Sequence, residues 1–293
     1  MLWITFAWGS CFLTISIGLQ DAPPLWLAAL RALIAGAALL LMIGIRHPSL
    51  PRAPNTWLLI ACLGFVNVAL AYAAMFGGII GLSTGVASVL ANVQPILILL
   101  PAWWLYHERP SATTVAAMIL GLAGLLLIVL PTGFGTGAWL SLISAAAVTV
   151  DTLIGRVIRA DPFVVAAAQL LIGGAVLAVV AAVVEGPTVI NWNVRFVIVL
   201  LFMSLIGTAA TTVAWFAEVR RARLDILTTW TLLVPIFGIA LSVVLLNERQ
   251  GISGWVGTAI VLASMIVLVI SSRRSKTRGI QPDPETDTEA HWV

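Results

Sequence analysis

Two stretches of the sequence share one pattern. "PILILLPAWWLYHERP" occupies Pro95–Pro110, and "PIFGIALSVVLLNERQ" occupies Pro235–Gln250. Each begins with Pro-Ile, continues through mostly apolar residues and reaches Leu-x-x-Glu-Arg, with matching residues 140 positions apart. A pattern that returns at a fixed distance indicates an internal duplication, so we expect two related halves.

The composition is typical of a protein that is embedded in lipid. Hydrophobic residues make up 61% of the 293 residues and charged residues only 9%, with a mean hydropathy of +1.09. A soluble domain carries about 25% charged residues, so this chain could not cover its apolar surface in water. We therefore predict a multi-pass membrane protein. Cys11 and Cys62 lie in apolar runs and resemble small hydrophobes rather than a disulfide or a metal pair.

The apolar runs have the length of membrane-spanning helices. A helix needs about 20 mostly apolar residues to cross about 30 Å of hydrocarbon. Breaks at proline, glycine and charge clusters divide the chain into ten such runs. The predicted spans are Leu2–Leu19, Leu25–Ile45, Trp57–Phe76, Gly85–Tyr106, Ala112–Leu130, Ala138–Val157, Phe163–Val184, Val194–Ala217, Ile226–Leu246 and Ile252–Ser271.

The basic residues predict the orientation. With the N-terminus in the cytoplasm, twelve of the fifteen Lys and Arg residues fall in inner loops or the C-terminal tail. Only Arg195 and Arg249 are then outside, and Arg31 lies within a span. Cytoplasmic segments carry an excess of Lys and Arg. We therefore predict a protein of the inner (plasma) membrane with both termini in the cytoplasm.

Five predicted spans precede Pro131 and five follow it. An odd number of spans per half places the second half upside down, which is the inverted-repeat arrangement of many secondary transporters. The predicted domains are a first five-helix repeat over 1–131, an inverted second repeat over 132–271, and a disordered tail over 272–293.

The duplicated motifs resemble a known family. Besides the two Pro-Ile stretches, the chain carries "GLAGLLLIV" from Gly121, "GTAIVLASMIV" from Gly257, "WGSCF" from Trp8 and "LRALIAG" from Leu30. This set is similar to the EamA-type members of the drug/metabolite transporter superfamily, over almost the whole chain. The resemblance implies an all-α fold of ten transmembrane helices in two inverted repeats around a central cavity. It also implies export or exchange of small metabolites, without a particular substrate.

Two intramembrane prolines are candidate hinges. Pro95 and Pro235 each remove one helical hydrogen bond and free the carbonyl four residues earlier. The bend is either purely architectural or exposes that carbonyl to a cavity, and the sequence leaves both open. Asn92, Gln94 and Thr231 are the polar neighbours that a substrate would meet in the second case.

A polar stripe marks the eighth predicted span. Thr208, Thr211 and Trp215, together with Ser204 and Thr212, share one face at helical spacing. The stripe either packs helices together or lines a water-filled path. We add Trp8, Asn67 and Tyr72 of the first and third spans to the predicted substrate-binding set.

Two charges within the predicted spans are candidates because a buried ionisable group in a membrane is costly. Asp151 could carry a proton or bind the amine of a substrate, or it could pair with an arginine for structural reasons. Arg31 could reach outward, bond backbone carbonyls or bind an anion. The helical rise places the two at different depths, so we do not expect a direct pair.

These features together predict a secondary transporter, most simply an exporter of small polar or amphipathic metabolites such as amino acids, with Asp151 as the proton-coupling candidate. A passive facilitator, an intramembrane enzyme and a non-transporting assembly partner are the alternatives. No HExxH motif, P-loop or nucleophile–base pair is apparent, so we expect no enzymatic activity, cofactor or metal. The expected partners are a small-molecule metabolite and the bilayer but no nucleic acid, and a homodimer is left open.

Overall fold

The computed structural model describes residues 1–80, 82, 84–106, 111–129, 135–221, 227, 230–231, 233–246 and 251–278. All regular secondary structure in this part of the chain is helical. The helices are α1 Leu2–Gly18, α2 Pro24–Arg46, α3 Pro54–Ile80, α4 in three segments (Thr84–Ala91, Gln94–Leu97 and Leu99–Tyr106), α5 Ala112–Val129, α6 Thr136–Val157, α7 Pro162–Val184, α8 Val194–Val219, α9 Leu233–Leu245 and α10 Ile252–Arg278.

Five of these helices are long and apolar enough to cross a membrane, namely α2, α3, α6, α7 and α8. The shorter apolar helices include α1 and α9. A multi-pass membrane protein follows from these helices, as the composition predicts. The count of ten spans stays a prediction. Helix α10 continues to Arg278, beyond the predicted start of the tail at Ser272, and the rest of the tail lies outside the described residues.

Polar side chains cap the N-terminal ends of two long helices. The Asp161 carboxylate accepts a hydrogen bond from the Phe163 amide at 2.8 Å, and Pro162 opens α7. The Asn193 side chain accepts from the Phe196 amide at 2.8 Å at the start of α8. Each cap satisfies a backbone donor that the helix leaves free, so both helices begin at defined residues.

The polarity of the fold is that of a membrane protein. Large apolar side chains such as Leu41, Leu58 and Val183 are exposed, at 73%, 71% and 80%. Polar side chains such as Ser88 and Thr152 are instead fully buried between helices. This distribution suits a lipid solvent outside and a hydrogen-bonded interior.

Helices α3 and α8 each contain a π-helical segment that the sequence did not predict. These segments are Gly64–Leu70 and Phe202–Ala210, and they begin 138 positions apart. A π-helical turn inserts a residue and rotates the faces of the helix beyond it, and such turns are frequent at functional sites. Asn67 lies in the first segment and Thr208 in the second.

The packing of the helices has an internal symmetry. The most extensive contacts are α2 with α7 and α5 with α10. Contacts of α3 with α6 match contacts of α8 with α1, and those of α1 with α9 match those of α6 with α4. When each of α1–α5 is replaced by the helix numbered five higher, and each of α6–α10 by the helix numbered five lower, one member of each pair of contacts becomes the other.

Glycines permit two of the closest helix crossings. A Cβ atom on Gly9 of α1 would lie 2.6 Å from the Phe237 Cβ of α9. A Cβ atom on Gly64 of α3 would lie 2.8 Å from the Gln169 carbonyl oxygen of α7. No larger residue fits at these crossings without moving a helix, as in other membrane helix pairs with small residues at the interface.

Candidate functional site

A cavity of about 110 Å³ lies in the middle of the bundle, between α1, α2, α3, α4, α6, α8 and α9. Pockets for drug-sized ligands have volumes of about 300–1,000 Å³, so this cavity suits a molecule smaller than a typical drug. Its polar lining consists of Cys11, Arg31, Asn67, Tyr72, Asn92, Gln94, Ser144, Asp151 and Thr212. Its apolar lining consists of Trp8, Phe12, Met75, Ala91, Val148, Trp215 and Val234.

Arg31 is the cation of the cavity and is only 3% exposed. Its Nε donates to the Thr208 hydroxyl at 2.6 Å, and its Nη2 donates to the Gly207 carbonyl at 3.4 Å and the Cys11 sulfur at 3.6 Å. The guanidinium lies 4.8 Å from the centre of the Tyr72 ring, which adds a cation–π contact. Nη1 has no hydrogen-bond partner among the described residues.

Asp151 is the carboxyl side chain of the described cavity lining and is 2% exposed. Asn67 of α3 lines the cavity together with it. The Oδ1 atom of Asp151 has no partner within the described part of the chain. A buried carboxylate oxygen without a donor is costly, so this atom is poised to accept a hydrogen bond from a ligand or to carry a proton.

The break in α4 brings two amide side chains to the cavity. Helical hydrogen bonding stops at Asn92 and Val93, shortly before Pro95, as expected where proline removes a donor. The Gln94 amide donates to the Thr152 hydroxyl of α6 at 2.6 Å. The Asn92 amide donates to the Ser88 carbonyl at 2.7 Å, one turn earlier. The break therefore positions Asn92 and Gln94 together, although an unbroken helix would point them apart.

An aromatic pair closes part of the cavity wall. The rings of Trp8 on α1 and Trp215 on α8 have centroids 5.1 Å apart at a tilt of 59°. Such a pair offers a flat apolar surface to an aliphatic or aromatic side chain of a ligand.

Seven of the ten predicted binding residues line this cavity. They are Trp8, Asn67, Tyr72, Asn92, Gln94, Asp151 and Trp215. The other three, Thr208, Thr211 and Thr231, are buried but are not among its lining residues. The Thr208 hydroxyl accepts a hydrogen bond from Arg31, whereas the Thr211 hydroxyl donates to the Gly207 and Thr208 carbonyls of its own helix at 2.9 and 3.1 Å.

The sequence contained signals for several lining residues that were not predicted to bind. Ser144 and Val148 precede the predicted residue Asp151 at helical spacing on α6, and Thr212 precedes the predicted residue Trp215 by three positions on α8.

Arg31 and Asp151 were predicted to lie at different depths. They do not form an ion pair, but both line the cavity because the long arginine side chain extends from its backbone.

The predicted hinges are described only in part. Pro95 lies in the short segment Gln94–Leu97, next to the break in α4. Pro235 is buried near the start of α9, where several preceding residues are outside the described ranges. The two Glu-Arg ends of the repeated motif, 108–109 and 248–249, also lie outside them. The described residues contain no group of three or more His, Cys, Asp or Glu side chains that could hold a metal ion.

A bundle of apolar helices with a central cavity that carries charged and aromatic side chains is the architecture of a membrane transporter for small molecules. The chain belongs to the EamA-like transporter family, whose model matches residues 1–130 and again 135–270. The repeated Pro-Ile motif and its neighbours had indicated the same family.

Relatives by sequence occur in bacteria and plants. The chain is 26% identical to the uncharacterized transporter YvbV of Bacillus subtilis, over 96% of this chain and 93% of that protein. It is 26% identical to a WAT1-related chloroplastic protein of Arabidopsis thaliana, over 90% and 67%. It is 23% identical to a probable amino-acid metabolite efflux pump of Salmonella typhimurium, over 94% and 95%.

A solved structure supports the fold. One crystal structure superposes with a TM-score of 0.71 over 94% of this chain and 98% of the other, at 22% sequence identity. At this identity the likeness concerns the fold alone.

Proposed function

We propose that the protein is a secondary transporter that exports small polar or amphipathic metabolites, such as amino acids, by alternating access to the central cavity. The observation that carries this proposal is a small cavity in which Arg31 and Asp151 each keep one polar atom without a hydrogen-bond partner among the described residues. Structural charges are normally satisfied by the protein, so unsatisfied ones favour a ligand. The name of the Salmonella relative supports efflux of amino-acid metabolites.

Alternating access needs two halves that can exchange conformations. We propose that these halves are inverted five-helix repeats over 1–131 and 132–271, followed by the cytoplasmic tail. Three observations support them: the exchange symmetry of the helix contacts, the π-helical segments at corresponding positions of α3 and α8, and the two matches to the family model. In this arrangement Pro95 and Pro235 occupy corresponding places on α4 and α9, each next to a residue that lines the cavity, and act as hinges.

The driving force in this proposal is the proton gradient across the inner membrane, with both termini in the cytoplasm. Asp151 is the proposed proton carrier because it is a buried carboxyl that lines the cavity. The titratable groups that share the cavity with it are Cys11, Arg31 and Tyr72. The protonated and charged forms of Asp151 would be exchanged as the cavity opens to each side.

Transport can be tested with purified protein in liposomes. Vesicles are loaded with a mixture of labelled amino acids, and release is followed with and without an imposed pH gradient against protein-free vesicles. Release that is faster than the control and responds to the gradient supports a coupled exporter. Protein-dependent release that ignores the gradient would favour the passive facilitator, and release equal to that of protein-free vesicles would contradict transport of these substrates.

A further inference from the structure

Helices α2 and α7, which share one of the two most extensive helix contacts, cross each other with a two-fold symmetry. A Cβ atom on Gly36 of α2 would lie 2.8 Å from the Leu171 Cγ of α7, and one on Gly174 of α7 would lie 3.0 Å from the Leu33 Cγ of α2. The two glycines are 138 positions apart, and so are the two leucines, like the starts of the two π-helical segments. Each half of the chain therefore contributes the same two residue types to one apolar crossing.

Hydrogen bonds link one end of this helix pair, here called the Glu185 end. The Glu185 carboxylate, at the C-terminal end of α7, accepts from the Leu25 amide at 2.9 Å and from the Trp26 amide at 3.1 Å in the first turn of α2. The Trp26 indole N–H also donates to the Gly186 carbonyl at 3.1 Å. A carboxylate at a helix N-terminus satisfies free amides and interacts favourably with the helix dipole. The end of α7 thus caps the start of α2.

A second group of hydrogen bonds lies at the Glu185 end. The Asp21 carboxylate, in the connection between α1 and α2, is 8% exposed and accepts from Asn193 at 2.8 Å and from Arg195 at 2.7 Å. The Asp21 carbonyl accepts from the Asn191 amide at 2.9 Å. Hydrogen bonds with an ionised partner are stronger than neutral ones. The connection between α1 and α2 is therefore bonded firmly to the segment that leads from α7 into α8.

The opposite end of the pair, here called the Phe163 end, has different contacts. The Arg46 guanidinium, at the end of α2, lies 4.4 Å from the centre of the Phe163 ring near the start of α7. The Phe163 amide donates to Asp161, which precedes the same helix, so this cap does not link α7 to α2. Arg220 at the end of α8 donates to the Ala160 carbonyl, but at an exposed position where water can replace the bond.

Resting on the function proposed above, we propose that the Glu185 end is a fixed pin between the two halves of the transporter, and that α2 and α7 separate and close again at the Phe163 end during transport. The crossing between the two ends is made by glycine and leucine, whose apolar contacts have no preferred direction, so the helices can turn there. Opening of the cavity toward the Glu185 end then comes from other helices, namely α4 and α9, which carry Pro95 and Pro235.

Pairs of spin labels measure the mobility of each end by pulsed EPR on the full-length protein in liposomes. Labels on Leu25→Cys and Val184→Cys leave the Glu185 carboxylate and the backbone amides of the pin in place. Labels on Ile45→Cys and Ala160→Cys report on the Phe163 end. The expected result is one narrow distance distribution at the Glu185 end and a broad or two-peaked distribution at the Phe163 end. Narrow distributions at both ends, or a broad one at the Glu185 end, would overturn the pin.

Two carboxylate variants form a matched pair for the same EPR measurement. Glu185→Ala and Asp161→Ala each remove a carboxylate that accepts an amide at the start of a helix. Glu185 comes from the neighbouring helix, whereas Asp161 directly precedes the helix that it caps. Glu185→Ala should therefore broaden the distribution at the Glu185 end, and Asp161→Ala should leave it narrow. Equal distributions in the two variants would overturn the pin. Glu185→Gln, which keeps one acceptor and should broaden the distribution less, replaces Glu185→Ala if that variant does not fold.

A reversible cross-link separates this inference from the proposed function. In a cysteine-free background, a bifunctional methanethiosulfonate joins Leu25→Cys to Val184→Cys, or Arg46→Cys to Phe163→Cys, and a reducing agent releases it. Protein-dependent release of the amino-acid mixture from liposomes should stay within about twofold after the first cross-link and fall about tenfold or more after the second, with recovery on reduction.

The outcomes for the two claims differ. Loss of release after the first cross-link, or unchanged release after the second, would overturn the pin and leave a transporter. A narrow distribution at the Glu185 end and a broad one at the Phe163 end, without release of any compound, would keep the pin and contradict transport.

Discussion

Thr208→Val should destabilise the protein by about 1.5–3 kcal/mol, the usual cost of losing a hydrogen bond to a charged group. The Thr208 hydroxyl accepts from the Arg31 Nε at 2.6 Å and donates to the Met203 carbonyl at 2.8 Å. Valine has the same shape but no acceptor, so the Nε–H of a buried guanidinium would lose its partner. The expected loss corresponds to a change of about 10- to 150-fold in the unfolding equilibrium.

Thr211→Val is the matched control on the same helix. Thr211 is also fully buried, but its hydroxyl donates to the Gly207 and Thr208 carbonyls of its own helix instead of accepting from Arg31. This substitution should cost less than about 1 kcal/mol. Both variants are compared with the wild type by denaturant titration in one detergent, with tryptophan fluorescence as the signal.

A double-mutant cycle isolates the Arg31 contact. In an Arg31→Met background the charge is gone, so the additional cost of Thr208→Val should fall to that of Thr211→Val. Equal costs of Thr208→Val and Thr211→Val in the wild-type protein would refute a stabilising bond between Thr208 and Arg31. An unchanged cost of Thr208→Val in the Arg31→Met background would refute it as well.

Three further predictions follow from other contacts. Gly173→Ala should destabilise the protein by about 1–3 kcal/mol in a thermal unfolding assay, because the added Cβ would collide with the Gly64 carbonyl and Val68. The control Gly44→Ala has open space around the added Cβ and should be neutral in the same assay. Equal effects of the two substitutions would contradict the close helix crossing at Gly173. Asp151→Asn should abolish the response of efflux to a pH gradient while exchange of substrate continues, and gradient-dependent flux in this variant would exclude Asp151 as the proton carrier. Asp21→Ala should lower the unfolding temperature more than Gln20→Ala, because Asp21 accepts from Arg195 at 2.7 Å and from Asn193 at 2.8 Å, and equal shifts would show that these bonds add no stability.

The sequence predicted the helical membrane fold and most of the cavity lining for simple reasons. Apolar runs of about 20 residues have few alternatives to membrane helices, and polar residues within them tend to face the interior. This reasoning selected Asn67, Asn92, Gln94 and Asp151, all of which line the cavity.

The stripe on α8 shows where the same reasoning was insufficient. An ideal helical period places Thr208, Thr211 and Trp215 on one face. The π-helical segment Phe202–Ala210 contains Thr208 and changes this period, so that Thr212 and Trp215 of the α-helical segment beyond it line the cavity while Thr208 does not. Nothing in a single sequence marks a π-helical turn, because it arises from packing against neighbouring helices.

Arg31 illustrates a second limit. The rise of the backbone gives the depth of a Cα atom but not of a guanidinium several ångströms away from it. Its position in the cavity depends on Thr208, Gly207 and Cys11, which belong to α8 and α1. Contacts between residues that are 20 and 177 positions apart could be seen only in the folded chain.

The central claim is that one cavity opens in turn to the two sides of the membrane. A cysteine at Thr212, in a protein whose Cys11 and Cys62 are replaced by alanine, reports on this through a membrane-impermeant thiol reagent added to either side of oriented vesicles. Alternating access predicts labelling from both sides, with saturating amino acid slowing the reaction from each. Labelling from one side only, with and without amino acid and under either direction of the pH gradient, would contradict the account.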